Sequence, residues 1–214
     1  MSTATTPLAR PRTSRNLSKH LIWYALGLAG ISVLYYTDYP LFFHPTPGDP
    51  FHAKMIVDRY FLIPHAIAGV LATALGPFQF STRFRQRHLA LHRLMGKVYV
   101  ISIFFAAPMV FILSRGFTFS LAFMGEVQAA LWLLCTLAAF ITARNRQITV
   151  HRQWMVRSYA FTLNFIFSRF LNFIPAYNNI SETGLALTLA LLTALYFFIP
   201  QIAFNWHELT HRRA

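Results

Sequence analysis

The sequence has few charged residues and only one cysteine, and each shortage excludes a class of protein. Charged residues make up 12% of the 214 residues, about half the share in an average soluble domain. With 56% hydrophobic residues, the composition is that of an integral membrane protein. The six acidic residues are too few and too scattered to supply the paired carboxylates of glycoside hydrolysis. Cys135 has no second cysteine with which to form a disulfide or a metal cluster.

Two catalytic motifs are also missing from the sequence. It contains no glycine-rich phosphate loop before a helix and no serine nucleophile elbow. The net charge of +13 would suit a nucleic acid. The cations, however, lie in short loops between apolar segments, as membrane topology requires. We therefore expect contact with a lipid bilayer and no nucleic-acid partner.

Six apolar segments approach the length of about 20 residues that crosses a bilayer. They run from Leu21 to Tyr36, Tyr60 to Phe80, Val98 to Ser114, Leu121 to Ala143, Trp154 to Phe173 and Leu185 to Phe204. Residues 37–59 carry four prolines, which lack a backbone donor, so this segment is predicted to be a loop. The sequence predicts an all-α bundle of six transmembrane helices over residues 21–206, between basic tails at 1–20 and 207–214.

Basic residues alternate between the two sides of these segments. One side holds most of them: Arg10, Arg12, Arg15, Lys19, Arg83, Arg85, Arg87, Arg93, Lys97, Arg144, Arg146, Arg152, Arg157, Arg212 and Arg213. By the positive-inside rule both termini are predicted to be cytoplasmic. The N-terminal tail resembles a transit peptide in its basic composition, but the apolar run after it lacks a small-residue cleavage site. We expect the tail to remain uncleaved.

A basic motif occurs twice, 59 positions apart. Residues 85–93 and residues 144–152 both read R-x-R-x₄-H-R, and each motif lies between two apolar segments. This pattern predicts two helical hairpins of the same sense, at about 60–114 and 120–173, related by an axis along the membrane normal. Such an axis would place His92 and His151 at one depth, near the cytoplasmic face.

Four further segments identify a family. They are His65-x₃-Gly69, Gly76-Pro77-Phe78-Gln79-Phe80, His92-Arg93-x₂-Gly96-Lys97-Val98-Tyr99-Val100 and His151-Arg152-x-Trp154-Met155-x-Arg157-Ser158-Tyr159. Over roughly residues 60–175 the chain resembles the bacterial membrane proteins of domain of unknown function 2306. The resemblance implies a multi-span inner-membrane protein and assigns it no activity.

The first candidate site is the pair His92 and His151. Two histidines at one depth on facing helices are the arrangement with which small helical-bundle cytochromes of the b561 type hold haem b, an analogy of fold alone. Arg87, Arg93, Arg146 and Arg152 would hold the propionates. Two alternatives stay open: an interfacial anchor for lipid phosphates, and another ligand or a metal. His88 lies four residues before His92, the spacing of a dihistidine metal site on a helix, although two histidines alone are a weak metal signal.

The second candidate is a polar cluster in the outer half of the membrane. His65 and Glu126 each lie about five residues into a predicted span, about 8 Å below the surface, and Arg169 and Asn172 approach the same depth. Buried opposite charges favour pairing, so Glu126 and Arg169 are predicted to meet. Arg157, Asn164, Ser168 and Asn172 form one stripe of the fifth span, predicted to face the bundle interior. The alternatives are a structural ion pair, with His65 bonded to a backbone carbonyl, and interhelical hydrogen bonding.

Three functions remain open on the sequence alone. The first is a redox or electron-transfer component with haem b on His92 and His151. The second is a small proton-linked carrier that uses His65, Glu126 and Arg169. The third is a non-catalytic accessory subunit bound to other membrane subunits. In each case the basic loops would meet anionic lipid headgroups at the cytoplasmic face.

Overall fold

A computed structural model describes residue 48, residues 50–171 and residues 173–210, and these form helices without strands. In chain order the helices are α1 Pro50–Phe80, α2 Thr82–Arg87, α3 Leu89–Leu113, α4 Phe119–Arg144, α5 Ile148–Leu171, α6 Pro175–Asn178 and α7 Glu182–Thr210. The predicted basic tail, first span and most of the first loop lie outside the described residues. So do Asn172 and the last four residues.

Four helices are long and apolar enough to cross a membrane. They contain the segments Ala53–Phe80, Leu89–Leu113, Phe119–Arg144 and Glu182–Trp206, which correspond to the second, third, fourth and sixth predicted spans. The fifth predicted span corresponds to α5, which has a similar length of 24 residues but is not among the four. Three arginines and Asn164 make α5 the most polar of the long helices. The structure thus confirms an all-helical membrane protein and four of the six spans.

The start of α1 corrects one prediction. Residues 50–59 were predicted to belong to a proline-rich loop, yet they form the first turns of α1. Pro50 is the first residue of the helix, a position where a proline costs nothing because the first N–H groups of a helix have no intrahelical partner. Lys54 then pairs with Asp58 one turn later. The last proline of the cluster therefore begins a helix.

The helices α1, α3, α4 and α5 close a ring. α1 packs along α3, α3 along α4, α4 along α5, and α5 returns to α1, while α7 packs on the outside against α4 and α5. α3 and α5 consequently stand across the ring from each other. The core between them contains small residues with a few large ones: Ala72, Tyr99, Ile103, Ala107, Ala129, Ala139 and Met155. Small side chains let the helices approach closely, as membrane bundles require.

The first hairpin meets the second where Gly76 of α1 lies against the ring of Tyr159 on α5. A β-carbon at residue 76 would come within 1.9 Å of that ring. Tyr159 also donates its hydroxyl to the carbonyl of Thr73, at 3.1 Å, and lies 5.4 Å from the ring of Phe80. Gly76 therefore allows the close packing of α1 against α5.

Candidate functional site

The two predicted histidines occupy equivalent positions at the turn end of the bundle, the end that contains residues 81–93 and 144–152. His92 is the fourth residue of α3, and His151 is the fourth residue of α5. The backbone N–H of each closes the first helical turn, onto the carbonyl of His88 at 2.9 Å and of Gln147 at 2.8 Å. The helices face each other across the ring, and the two imidazoles lie close enough to interact electrostatically. The structure therefore places His92 and His151 at the same level of the bundle, on helices that face each other.

The hydrogen bonding of His151 leaves one ring nitrogen available. Its Nδ1 lies 2.8 Å from the carbonyl oxygen of Ala139 on α4. A carbonyl only accepts, so Nδ1 carries the proton, and Nε2 retains its lone pair. The same carbonyl accepts the hydroxyl of Thr142 at 3.1 Å, which an oxygen with two lone pairs allows. Ala139 is the acceptor that the sequence did not reveal, since any backbone carbonyl could have filled that role.

The Nδ1 of His92 is buried and has no hydrogen-bond partner in the described part of the chain. A second orphaned atom is the side-chain amide nitrogen of Gln79, near the end of α1. The two imidazoles therefore share a helix position but not a hydrogen-bond pattern. Buried polar atoms without partners are uncommon and need an explanation.

A group of cations surrounds the imidazole pair. The predicted propionate partners Arg87, Arg93, Arg146 and Arg152 are all exposed at the turn end, together with Arg83 and Arg144. The stretch from Arg83 to Arg93 contains no acidic residue, and neither does the stretch from Arg144 to Arg152. The turn end is thus a basic surface that suits an anion.

His88 does not form the helical pair with His92 on which the dihistidine metal prediction depended. It is the single residue between α2 and α3, with φ −135° and ψ 59°. Its exposed ring lies 5.7 Å from the ring of Phe84, back on α2. Because His88 lies outside α3, the i, i+4 relation on one helix face is lost. In the described residues no three His, Cys, Asp or Glu side chains gather where they could hold a metal ion.

The predicted outer cluster divides into two levels. Glu126 accepts a hydrogen bond from the hydroxyl of Ser114 at 2.6 Å, whereas His65 bonds through Nδ1 to the carbonyl of Ala106 at 2.9 Å. From Ala106 to Ser114 is eight residues of α3, or about 12 Å along the helix. The depth prediction for His65 was wrong because α1 begins ten residues before the predicted span. The carbonyl partner of His65 is the one that the structural alternative predicted.

The predicted ion pair between Glu126 and Arg169 stays a prediction. The side chain of Arg169, like residue Asn172, is outside the described part of the structure. In the part that is described, Lys54 provides a cation near the level of Ser114. It bonds to Asp58 and to the carbonyl of Leu113, the latter at 3.0 Å.

Arg157 and Asn164, the two residues of the predicted polar stripe whose contacts are described, face α7 and α4 within the bundle. Arg157 is 6% exposed. It donates to Gln201 of α7, and its guanidinium lies over the rings of Trp154, Phe197 and Phe204. Asn164 donates to Gln128 of α4 at 3.1 Å and accepts from the hydroxyl of Tyr196 at 3.3 Å. These residues join α5 to its neighbours, the interhelical bonding that the sequence left open as an alternative.

The centre of the ring holds a hydroxyl cluster that the sequence analysis missed, formed by Tyr99, Trp132, Thr136, Ser158 and Thr162. The Tyr99 oxygen lies 2.8 Å from that of Ser158 and 3.0 Å from that of Thr162. Ser158 continues to Thr136 at 2.7 Å, and the indole of Trp132 donates to Thr162 at 3.0 Å. The cluster lies about two turns deeper than the imidazole pair. One signal was available, because Tyr99 and Ser158 are 59 residues apart, the spacing of the repeated motif.

Comparison with known proteins gives one match. A family model described as predicted membrane protein (DUF2306) matches residues 62–206, which include both imidazoles, the hydroxyl cluster and most of α7. No curated protein matches the chain. No solved structure matches it either.

Proposed function

This chain belongs to the DUF2306 family of predicted membrane proteins, and we propose that it binds a b-type haem between His92 and His151 as a membrane redox component. A haem bound there would supply one-electron transfer. The observation that carries the proposal is the fixed tautomer of His151. A metal-ligating histidine donates its other ring N–H to a carbonyl or carboxylate, which orients the ring and makes the ligating nitrogen more basic. The bond from His151 Nδ1 to Ala139 has this form.

The residues around the pair fit the group in one further respect. The exposed arginines that follow each histidine, Arg93 and Arg152, supply cations for the two propionates. An arginine can bind a carboxylate with two parallel hydrogen bonds, so these positions suit that role better than lysine would.

The optical spectrum of the purified full chain tests the proposal. After expression with an ample haem supply, we expect a Soret band in the wild type. We expect the variants His92→Ala and His151→Ala each to bind haem at least about tenfold more weakly than the wild type. Losing a residue that merely hydrogen-bonds to a metal ligand already lowers metal affinity about 10–100-fold. His88→Ala is the matched control, because its exposed ring lies at the same end of the bundle outside α3. Thermal unfolding of all variants in detergent separates lost binding from lost fold.

Two results would contradict the haem proposal. One is a folded wild-type protein that stays colourless after reconstitution with haem. The other is a Soret band that survives in the folded double variant His92→Ala, His151→Ala.

For the whole chain we propose six spans with both termini in the cytoplasm and α5 as the fifth span. Three arguments support it: the alternating loop charges, the length of α5, and the position of α5 in the ring. The basic turn end would then face anionic headgroups of a bacterial inner membrane. Single cysteines introduced at Arg87 and Arg146 into a Cys135→Ala chain test this topology. Both should react with impermeant maleimide only in inverted vesicles, and labelling in intact cells would contradict it.

A further inference from the structure

Helices α5 and α7 meet around a positive charge that has no acidic partner in the described part of the chain. Arg157 is 6% exposed, and its guanidinium donates a hydrogen bond to the amide oxygen of Gln201. The ion pair of Lys54 and Asp58 lies far away, near the start of α1. Ionisable residues within a membrane pair with another charge or face a polar cavity, and they are candidates for a function. A neutral amide leaves the charge of Arg157 uncompensated, so this place suits an electron-rich group.

This pair of side chains lies inside the apolar part of the bundle. Arg157 follows His151 by six residues of α5, which is about 9 Å along the helix. Gln201 lies five residues before Trp206, where the apolar segment of α7 ends, so it is about 8 Å inside that boundary. The hydrocarbon of a bilayer offers no water to an unused N–H group. A donor at this depth therefore takes its acceptor from protein or from a molecule dissolved in the bilayer.

The amide of Gln201 keeps two hydrogen-bond donors for such an acceptor. A guanidinium has donors and no acceptor, so the amide must present its oxygen to Arg157. The amide nitrogen therefore points away from the guanidinium, and the side chain of Gln201 is exposed. No described residue accepts a hydrogen bond from this nitrogen. The positive charge behind the amide polarises it, which strengthens any bond that its N–H groups donate.

Aromatic rings surround the guanidinium. Its central carbon lies 4.9 Å from the ring centre of Trp154, 6.0 Å from that of Phe197 and 5.8 Å from that of Phe204. Phe204 is 38% exposed, so the aromatic wall reaches the surface beside the exposed amide. Such rings offer apolar contact to the body of a ligand whose polar atoms meet the amide. The α5–α7 seam consists of these five residues: Trp154, Arg157, Phe197, Gln201 and Phe204.

We propose that the α5–α7 seam binds a bilayer-soluble molecule through a carbonyl or carboxylate oxygen. The oxygen accepts a hydrogen bond from the amide nitrogen of Gln201, and the charge of Arg157 attracts it from behind the amide. A quinone and a free fatty acid share this chemistry, because each joins an oxygen acceptor to an apolar body. Electron transfer between a quinone at the seam and a haem on His151 rests on the proposed function. Binding at the seam does not need the haem.

The test measures saturable binding of two tritiated probes, decylubiquinone and palmitate, to the haem-free full chain in phosphatidylcholine nanodiscs, with empty nanodiscs as background. We expect at least one probe to bind. Gln201→Leu should weaken that binding about fivefold, the effect of losing one ordinary hydrogen bond. Arg157→Gln should weaken it at least about tenfold, because interactions with a charged group are stronger. Ile202→Ala is the matched control, since this neighbouring side chain is 49% exposed and lies outside the seam.

Competition between the probes separates the two sources of the oxygen. Binding of decylubiquinone that palmitate does not displace identifies an uncharged carbonyl as the ligand group. Binding of palmitate alone, lost in Arg157→Gln, identifies a carboxylate. Thermal unfolding of each variant in detergent shows whether it folds. If Arg157→Gln does not fold, Gln201→Leu carries the test, because it replaces an exposed side chain.

Two outcomes would overturn the inference: a folded wild-type chain that binds neither probe saturably, or probe binding that is unchanged in folded Gln201→Leu. A haem titration of the same samples separates this inference from the proposed function. A chain that binds a probe at the seam and stays colourless retains the seam and loses the haem. A chain that binds haem and neither probe gives the reverse.

Discussion

The two turns of the bundle share one sequence motif and adopt two different backbones. In the first, Arg85 and Arg87 belong to the short helix α2, whose N-cap Ser81 accepts the N–H of Phe84 at 3.2 Å. In the second, Arg144 ends α4 and Arg146 has a φ of 58°. In both turns, however, the histidine next to the end of the motif, His92 or His151, is the fourth residue of the following helix. The comparison teaches that the repeated motif specifies the place of the histidine, whereas its flanking sequence specifies the turn.

The difference between the turns has a local cause. In the second turn the N–H of Gln147 returns to the carbonyl of Thr142 at 2.9 Å, and the N–H of Arg146 returns to that of Ala143 at 3.1 Å. This is the Schellman ending of a helix, which needs a left-handed residue at the position of Arg146. In the first turn α1 ends at Phe80, five residues before the motif begins at Arg85, and Ser81 can start a new helix. The spacing between helix end and motif thus decides the backbone.

The largest expected effect tests how the two hairpins join. Gly76→Ala places a β-carbon 1.9 Å from the ring of Tyr159, and we expect a loss of about 3 kcal/mol in the free energy of unfolding, since overpacking moves backbone as well as side chains. Gly125→Ala is the matched control. Its β-carbon would lie 3.9 Å from Val110, so the better helix propensity of alanine should stabilise the chain by up to about 1 kcal/mol. Unfolding by denaturant in detergent measures both.

Equal effects of the two glycine substitutions on the free energy of unfolding would show that the ring of Tyr159 does not pack against α1. The double variant Gly76→Ala, Tyr159→Ala adds a check. Removing the ring should make the alanine at residue 76 nearly neutral relative to Tyr159→Ala alone, because the two effects are not additive when the groups are in contact.

A smaller effect tests the contact between α3 and α5 at the centre of the ring. Tyr99 is completely buried, and Tyr99→Phe removes the hydroxyl that bonds to Ser158 and Thr162. Both partners keep another hydrogen bond, so we expect a loss of only about 1–2 kcal/mol. The control is Tyr60→Phe, whose ring is 73% exposed and whose hydroxyl only accepts from its neighbour Arg59. The free energy of unfolding of Tyr60→Phe, measured in the same way, should differ from that of the wild type by a few tenths of a kcal/mol at most.

How much the sequence predicted depends on what kind of information each feature needs. Hydropathy predicted four helices of membrane-spanning length, and the repeated motif predicted the equivalent helix positions of His92 and His151, because both are properties of position along the chain. The helix against which a polar residue packs was not predictable. Arg157 was predicted to face the bundle interior, and there it meets α7, where Gln201 and aromatic rings surround its charge. Only tertiary packing determines such a choice.

The hydroxyl cluster and the depth of His65 show two other limits. A tyrosine, a serine and two threonines inside apolar segments look like ordinary span residues, and only the 59-residue spacing of Tyr99 and Ser158 connects two of them in the sequence. The predicted depth of His65 depended on where α1 begins. The predicted loop included residues 50–59, which form the first turns of α1. Pro50 starts the helix because a proline is tolerated in the first turn, so counting Pro50 as a loop residue misplaced the histidine relative to Glu126 by about two turns.

The smallest effect concerns the turns themselves, and its sign differs between them. A side chain at φ 58° is strained, because the β-carbon approaches the following carbonyl. Arg146→Gly should therefore raise the free energy of unfolding by about 1 kcal/mol. Arg87→Gly, at the matching position of the first motif, should lower it by about 0.5–1 kcal/mol, because Arg87 is the last residue of helix α2. If both glycines destabilise the chain equally, the second turn is helical like the first, and the two motifs do not differ in backbone after all.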